Sequence, residues 1–382
     1  MSNSNIAYYT ARELSKKIQS REISPVEVTQ CYLDRIATLD QKLNSYITVS
    51  GDEALSAAQQ AEREILSGQY RGPLHGIPVA VKDQLLTKDI QTTAGSEILR
   101  GWVPEHDATC IVKLKNAGAV LIGKTNMTEY AITTNHNFPY GIPLNPWDTS
   151  RYSGSSSGGS AAATAGFLCA TSLGEDTGGS VRGPASLCGL AGLRPTWGLV
   201  SRYGLLPASW SMDTVGPISR TVEDCAMTLQ AISGYDPLDP YTWKTPIPDY
   251  VSALNEDIQG VKIGIVKERL YTDDVDPEVR TTVETATGVL KQLTKFVEEI
   301  SIPDIVHCAT YSMTIGLVEG AAVHRDIIRK HSHMYQHELR LVNLVGSLIP
   351  AQTYYKAQQL RAVWRERLLK VLSSYDVLVY PT

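Results

Sequence analysis

The chain has 382 residues, of which 43% are hydrophobic and 20% charged, an ordinary globular composition. A formal net charge of −5 leaves no basic surplus, so nucleic acid is not expected as a direct partner. The six cysteines are scattered without a CxxC spacing and indicate neither a disulfide framework nor a zinc site.

The N-terminus, MSNSNIAYYTARELSKK, lacks the apolar segment of a signal peptide. No apolar run reaches the roughly 18 residues that a membrane-spanning helix needs. We therefore expect a cytoplasmic protein that has no membrane partner.

Two helices are predicted near the N-terminus from their capping residues. Thr10 and Glu13 have the spacing of a capping box before the sequence ELSKKI. Ser24 and Glu27 repeat that spacing, with Pro25 at the first helical position.

Strands and helices alternate in the next part of the chain. IPVAVK (77–82) is typical of a buried strand, and AVLIGK (119–124) of another. Between them, Asp107 is expected to cap a helix that ends at Gly118. Strand–helix–strand alternation predicts an α/β protein.

The second half continues the pattern. The small residues from Ser160 to Gly166 predict a tightly packed helix, and Asp276 followed by Pro277 starts a long one. KIGIVK and the terminal VLVY are typical of strands. With no internal repeat, residues 1–382 are predicted to form one domain. Because the chain stops at a strand end, we expect that a natural C-terminal portion follows.

Two glycine/serine clusters, at 154–160 (GSSSGGS) and 176–182 (DTGGSVR), carry the main functional signal. Flexible linkers would not flank small-residue helices and apolar strands, and a phosphate-binding loop would need the lysine of GxxxxGK[ST]. Consecutive glycines instead let backbone N–H groups turn inward. Together with the hydroxyl of Ser180, such N–H groups suit a nucleophile beside its oxyanion hole.

A serine nucleophile needs a base. None of the eight histidines has a GxSxG context, and His333 and His337 lack the glutamate of a zinc protease, so a solvated helix face explains them better. Lys82, at the end of an apolar strand, could serve if burial lowers its pKa. On this feature alone, a lysine that reaches out to water is equally compatible.

Five segments together resemble the amidase signature family: HGIPVAVKD, GKTNMTEYA, GSSSGGSAAATAG, LGEDTGGSVRGPASLCGLAGLRPTWGLVSRYG and SMDTVGPISRT. The similarity is continuous from about Thr10 to Tyr380. It implies a large mixed β-sheet sandwiched between layers of α-helices, with no cofactor and no metal.

The resemblance also implies a Ser–cis-Ser–Lys triad. The family's lysine corresponds to Lys82, and the nucleophile of its DTGGS motif corresponds to Ser180. Aligning the trailing SGGS places the bridging serine at Ser156. Ser155 stands where the family usually has glycine, which leaves Ser155 and Ser157 as alternatives to the favoured Ser156.

The other implied roles concern the surroundings of the triad. The N–H groups of Thr177, Gly178, Gly179 and Ser180 are expected to form the oxyanion hole. Asp176 and Arg182 are expected to brace the loop. Met127, Tyr130 and Trp210 are candidates for the substrate pocket, although each is equally compatible with core packing.

The first functional hypothesis is a stand-alone amidase with a small-molecule amide substrate, allowing an ester or a carbamate, and allowing a homodimer. Family members act on aliphatic and aryl amides, peptide C-terminal amides, carbamates and urea derivatives. The alternative is the glutaminase A subunit of a tRNA-dependent amidotransferase, which NHNFPYGIPLNPWD and GYDPLDP resemble. A third hypothesis is a catalytically inactive binding relative.

Overall fold

The computed structural model describes residues 3–132 and 138–382. His136 and the first three residues of the NHNFPYGIPLNPWD segment lie outside the described residues. The helices of the described chain are α1 (Ala11–Gln19), α2 (Pro25–Leu43), α3 (Gly51–Leu66), α4 (Thr109–Asn116), α5 (Gly158–Ala165), α6 (Arg182–Leu187), α7 (Val222–Ile232), α8 (Tyr250–Ala253), α9 (Lys267–Leu270), α10 (Pro277–Leu293), α11 (Cys308–His331), α12 (His337–Leu348) and α13 (Ala351–Leu372). The strands are β1 (Tyr46–Val49), β2 (Pro78–Lys82), β3 (Val120–Thr125), β4 (Leu144–Asn145), β5 (Asp148–Tyr152), β6 (Thr171–Glu175), β7 (Ala191–Gly192), β8 (Val215–Ser219), β9 (Lys262–Val266), β10 (Phe296–Ile300) and β11 (Val377–Val379).

The predicted helix starts at the N-terminus are confirmed. The Thr10 side chain accepts the backbone N–H of Glu13, whose carboxylate accepts the N–H of Thr10 in return. The Ser24 side chain accepts the N–H of Val26, and the N–H of Ser24 donates to Glu27. Each capping box satisfies backbone donors that have no partner within the helix.

The helix after Asp107 begins differently from the prediction. Its N-cap is Ala108, which provides no side-chain hydrogen bond. The Asp107 carboxylate accepts the N–H of Lys88 instead and forms an ion pair with Lys115. Two residues outside the first turn of the helix therefore bind the carboxylate that the local pattern predicted as the cap.

The chain divides into two compact units, the first comprising the described residues of 1–254 and 319–344. This larger unit holds a six-stranded sheet in the order β1-β3-β2-β6-β8-β7. The central pairs β2–β3 and β2–β6 are parallel, whereas β1–β3, β6–β8 and β7–β8 are antiparallel. Helices α3, α5 and α7 pack against its strands. This mixed sheet with helices confirms the predicted α/β class.

The parallel register brings the carboxyl ends of three strands to one edge. β2 ends at Lys82, β3 at Thr125 and β6 at Glu175, and every residue of these strands is buried. Because parallel strands run in the same direction, these three end residues lie near each other. Ligand sites in α/β proteins commonly lie at such an edge.

Helix α5 starts at the same edge and needs its small residues. A Cβ atom on Gly159 would lie 2.4 Å from both the N and the O of Asn126 and 2.5 Å from the O of Ser45. A Cβ on Gly174 of β6 would lie 2.8 Å from the Oγ of Ser157. The glycines therefore allow the start of α5 to approach the strands closely.

The second unit comprises residues 255–318 and 345–382 and has its own three-stranded sheet. All its pairs are parallel, in the order β10-β9-β11, with the predicted KIGIVK strand in the centre. Ile263 and Ile265 of β9 belong to one apolar cluster, and Val266 packs with Ile300 in a second. None of the helices in the described part of the chain is both long and apolar enough to cross a bilayer.

Replacing Ser24 by alanine removes the capping acceptor of α2. We expect the free energy of unfolding to fall by about 1 kcal/mol, since the N–H of Val26 loses its partner. Urea denaturation followed by circular dichroism measures the change. Ser56→Ala, an equivalent substitution at an exposed position within α3, is the control and should leave stability nearly unchanged. Equal losses in both variants would contradict a capping role.

Candidate active site

Lys82 is a fully buried lysine at the end of β2. Its Nζ donates to Ser156 Oγ at 2.7 Å, to Glu175 Oε2 at 3.0 Å and to the Glu175 carbonyl at 3.3 Å. Burial lowers the pKa of the Lys82 amine below its ordinary value, and the Glu175 carboxylate works in the opposite direction. Of the two environments that the sequence allowed, Lys82 has the buried one.

The loop before α5 joins Lys82 to the second glycine/serine cluster. The peptide bond between Ser155 and Ser156 is cis, and Ser156 is buried. The carbonyl of Ser156 accepts the N–H of Thr128 at 3.3 Å. The N–H of Ser157 donates to the carbonyl of Ser180 at 3.3 Å, which connects the two clusters directly.

The turn after β6 carries Ser180 at a half-buried position. Gly179 adopts a φ of 130°, a conformation that side chains rarely allow. The N–H of Gly179 donates to Asp176 Oδ1 at 2.8 Å. The turn therefore places a half-buried serine directly after the amide of Gly179, which is held by the Asp176 carboxylate.

Asp176 holds this turn in place. Its buried carboxylate pairs with Arg182 at 3.0 Å and Arg194 at 3.1 Å, and it also accepts the N–H of Val181 at 3.2 Å. Burial alone would raise the pKa of Asp176, but the hydrogen bonds and charges of the two arginines lower it to about 2. The carboxylate is therefore an anion at neutral pH. Arg194 was not found from the sequence.

A second carboxyl arrangement lies next to Lys82 and was also missed. The Thr177 hydroxyl is 2.7 Å from Glu175 Oε1 and 2.7 Å from Asp213 Oδ1, and both carboxyl groups are buried. Burial, reinforced by the charge of Glu175, raises the pKa of Asp213 to about 7. A glutamate at the end of a buried strand was a signal for this arrangement, whereas nothing local pointed to Asp213.

The sequence profile of the amidase family matches residues 27–382. The chain belongs to the amidase family. It is an enzyme that acts on the carbon–nitrogen bonds of amides.

Relatives of this amidase include both amidotransferase components and stand-alone enzymes. It is 39% identical over 397 residues to the A subunit of the glutamyl-tRNA(Gln) amidotransferase of Geobacter sp. (strain M21), covering 97% of this chain and 81% of the relative. The solved peptide amidase of Stenotrophomonas maltophilia superimposes with a TM-score of 0.81 at 32% identity, over 92% of this chain and 78% of that one. The A subunit of the same amidotransferase from Thermotoga maritima gives a TM-score of 0.80 at 31% identity, over 99% and 81%. These likenesses confirm the predicted amidase-signature fold.

The three pocket candidates of this amidase have different surroundings. Met127 is fully buried and packs with Ala131 and Ala208. Tyr130 is buried in a separate apolar cluster with Tyr335. Trp210 is 56% exposed, and its ring packs against Arg202 and Tyr241. The structure therefore does not bring the three side chains into one cluster.

Replacing Asp176 by asparagine removes the anion between the two arginines. We expect the unfolding free energy at pH 7 to fall by about 1.5–3 kcal/mol, the usual contribution of a charged hydrogen-bonded group. Because the folded-state pKa is about 2, below the unfolded value, this stability is present above about pH 4 and is lost as pH falls through 2. Denaturation at several pH values measures it.

The control for this substitution is Asp148→Asn. Asp148 and Arg151 form an ion pair in which both side chains are at least half exposed, and such pairs contribute less than about 1 kcal/mol. A brace role for Asp176 is contradicted if the two variants lose the same stability, or if the loss at position 176 persists below pH 2.

Proposed function

We propose that this amidase breaks an amide C–N bond through an acyl-enzyme on Ser180, with Ser156 as the proton relay and Lys82 as the base. The observation that carries the proposal is the 2.7 Å hydrogen bond between buried Lys82 and Ser156. The serine turn at 177–180 follows Glu175, which also contacts Lys82. A buried amine can lose its proton near neutral pH, as a general base requires.

The steps follow from this arrangement. Neutral Lys82 accepts the proton of Ser156, which accepts the proton of Ser180, and the Ser180 oxygen bonds to the amide carbonyl carbon. The proton returns through Ser156 to the leaving nitrogen as the C–N bond breaks. Water then attacks the acyl group by the same relay, releasing the acid and restoring Ser180.

The oxyanion of the tetrahedral intermediate is assigned to the backbone amides of Thr177, Gly178, Gly179 and Ser180. Such preorganised donors are worth about 10²–10³ in rate for each donor. The N–H of Gly179 donates to Asp176, so in that geometry an oxyanion competes with the carboxylate for it. Asp176 and Arg182 keep the structural role of bracing these amides.

The relatives favour one of the two enzymatic functions over the other. The Geobacter relative, at 39% identity, is an amidotransferase component, whereas the peptide amidase is 32% identical. We therefore put the glutaminase A subunit of a tRNA-dependent amidotransferase ahead of the stand-alone amidase that the sequence first favoured. The stand-alone amidase is the second candidate, supported by the likeness to peptide amidase over 92% of this chain.

Ser180→Ala is expected to abolish both amide hydrolysis and covalent labelling by an alkyl fluorophosphonate, because the attacking oxygen is gone. Lys82→Ala should lower the labelling rate by about 10²–10⁴, the usual contribution of a general base. Mass spectrometry of the labelled protein and ammonia release measure the two effects. Ser186→Ala, at an exposed position in neighbouring α6, should behave as wild type.

Thermal denaturation would show that the Ser180 and Lys82 variants remain folded. Label on another residue, or full activity in Ser180→Ala, would contradict the mechanism. If the folded wild-type protein takes no label at any pH, the third hypothesis, an inactive relative, would replace it.

The substrate hypothesis predicts that ammonia is released from glutamine, and that two further subunits co-purify with the tagged chain from its native cells. A panel of glutamine, a peptide C-terminal amide, an aryl amide, an ester and a carbamate tests it, with Ser180→Ala as the blank. Hydrolysis of the peptide or aryl amide by the chain alone, with glutamine untouched, would assign the stand-alone function.

A further inference from the structure

Glu175 and Asp213 form a buried carboxyl pair on either side of one hydroxyl. The Thr177 hydroxyl is 2.7 Å from an oxygen of each, and neither carboxyl group is more than 1% exposed. A threonine hydroxyl carries a single hydrogen, so it can donate to only one of the two. The second 2.7 Å contact is a hydrogen bond only when the other carboxyl group carries a proton and donates it to the hydroxyl oxygen.

The shared proton belongs on Asp213. Burial and the neighbouring Glu175 charge raise the pKa of Asp213 to about 7, although the backbone N–H groups of Ala208 and Ser209 donate to this carboxyl group and act in the opposite direction. Glu175 Oε2 lies 3.0 Å from the Lys82 amine and forms an ion pair with it. The hydrogen bonds then run from Asp213 through Thr177 to Glu175, and from Lys82 to the other oxygen of Glu175.

The other carboxylates near Lys82 form ion pairs with other basic side chains. Asp176 is close enough to act on it electrostatically but pairs with Arg182 and Arg194. Asp83, next to Lys82 in the chain, lies 3.4 Å from the buried amine of Lys124. Glu175 on β6 and Asp213 before β8 are therefore the carboxyl groups whose charge acts most directly on Lys82.

We propose that Glu175 is a positioning residue that, together with Thr177 and Asp213, sets the pH at which Lys82 becomes a neutral base. The inference rests on the proposed function, in which neutral Lys82 starts the serine relay. A carboxylate 3.0 Å from the amine stabilises its protonated form. It also holds Nζ at the position from which the amine reaches Ser156.

The test is the second-order rate constant for labelling of Ser180 by an alkyl fluorophosphonate, measured against pH. Glu175→Gln removes the anion, so Lys82 loses its proton at lower pH. The acid limb of the profile should therefore move down by about 1–3 pH units, the usual effect of one nearby opposite charge. Glu175→Asp retains the charge and should keep the limb closer to that of wild type.

Asp213→Asn provides a second measurement if Glu175→Gln does not fold. It fixes the neutral state of this carboxyl, so the limb should move in the same direction but less, because the charge of Asp213 acts on Lys82 more weakly than that of Glu175 does. The matched control is Glu22→Gln. It removes an exposed carboxylate from its ion pair with the partly exposed Lys17 and should leave the profile unchanged.

The outcomes separate the two proposals. A Glu175→Gln profile that is lower at every pH, with its limb unmoved, would mean a purely structural role and would overturn the inference while leaving the serine mechanism intact. A wild-type protein that takes no label on Ser180 would overturn the mechanism, and the inference with it. A shifted limb in Glu175→Gln and an unshifted one in Glu22→Gln support it.

Discussion

The arrangement of the site depends on one interaction, the hydrogen bond from a buried lysine amine to a buried serine hydroxyl. Lys82 has no access to solvent, and Ser156 lies 2.7 Å away. An ammonium group is costly to bury without partners, so the fold must surround it with acceptors. The parallel strands do this, because their common edge places Glu175 beside the end of β2.

Two carboxyl groups near this interaction, Asp176 and Asp213, differ in their ionisation. Asp176 is surrounded by two arginines and stays ionised, which suits a rigid brace. Asp213 faces another carboxyl and has a pKa of about 7, so its charge changes near neutral pH. One carboxyl group therefore fixes the geometry of the serine turn, while the other lies within the electrostatic reach of the base.

The sequence predicted what short patterns encode. Capping at Thr10 and Ser24, the strand ending in Lys82 and the α/β class follow from spacing and periodicity, and the structure has each of them. The sequence did not predict that Asp213 lies in the site. Its partner Thr177 is distant along the chain, and the pairing of β6 with β8 brings the two together. The prediction that Asp107 caps α4 was wrong for a related reason. The backbone N–H of Lys88 and the amine of Lys115 bind the carboxylate that would have capped the helix.

The close approach at Gly159 has a consequence for any attempt to engineer the enzyme. The atoms that a side chain there would meet are backbone atoms of Asn126 and Ser45, which cannot rotate out of the way. Any substitution would push the start of α5, and with it the loop that carries Ser156. A Cβ on Gly178, in contrast, would have no heavy atom within 4 Å. Mutant libraries should therefore leave position 159 unvaried and look for altered specificity on the open side of the serine turn.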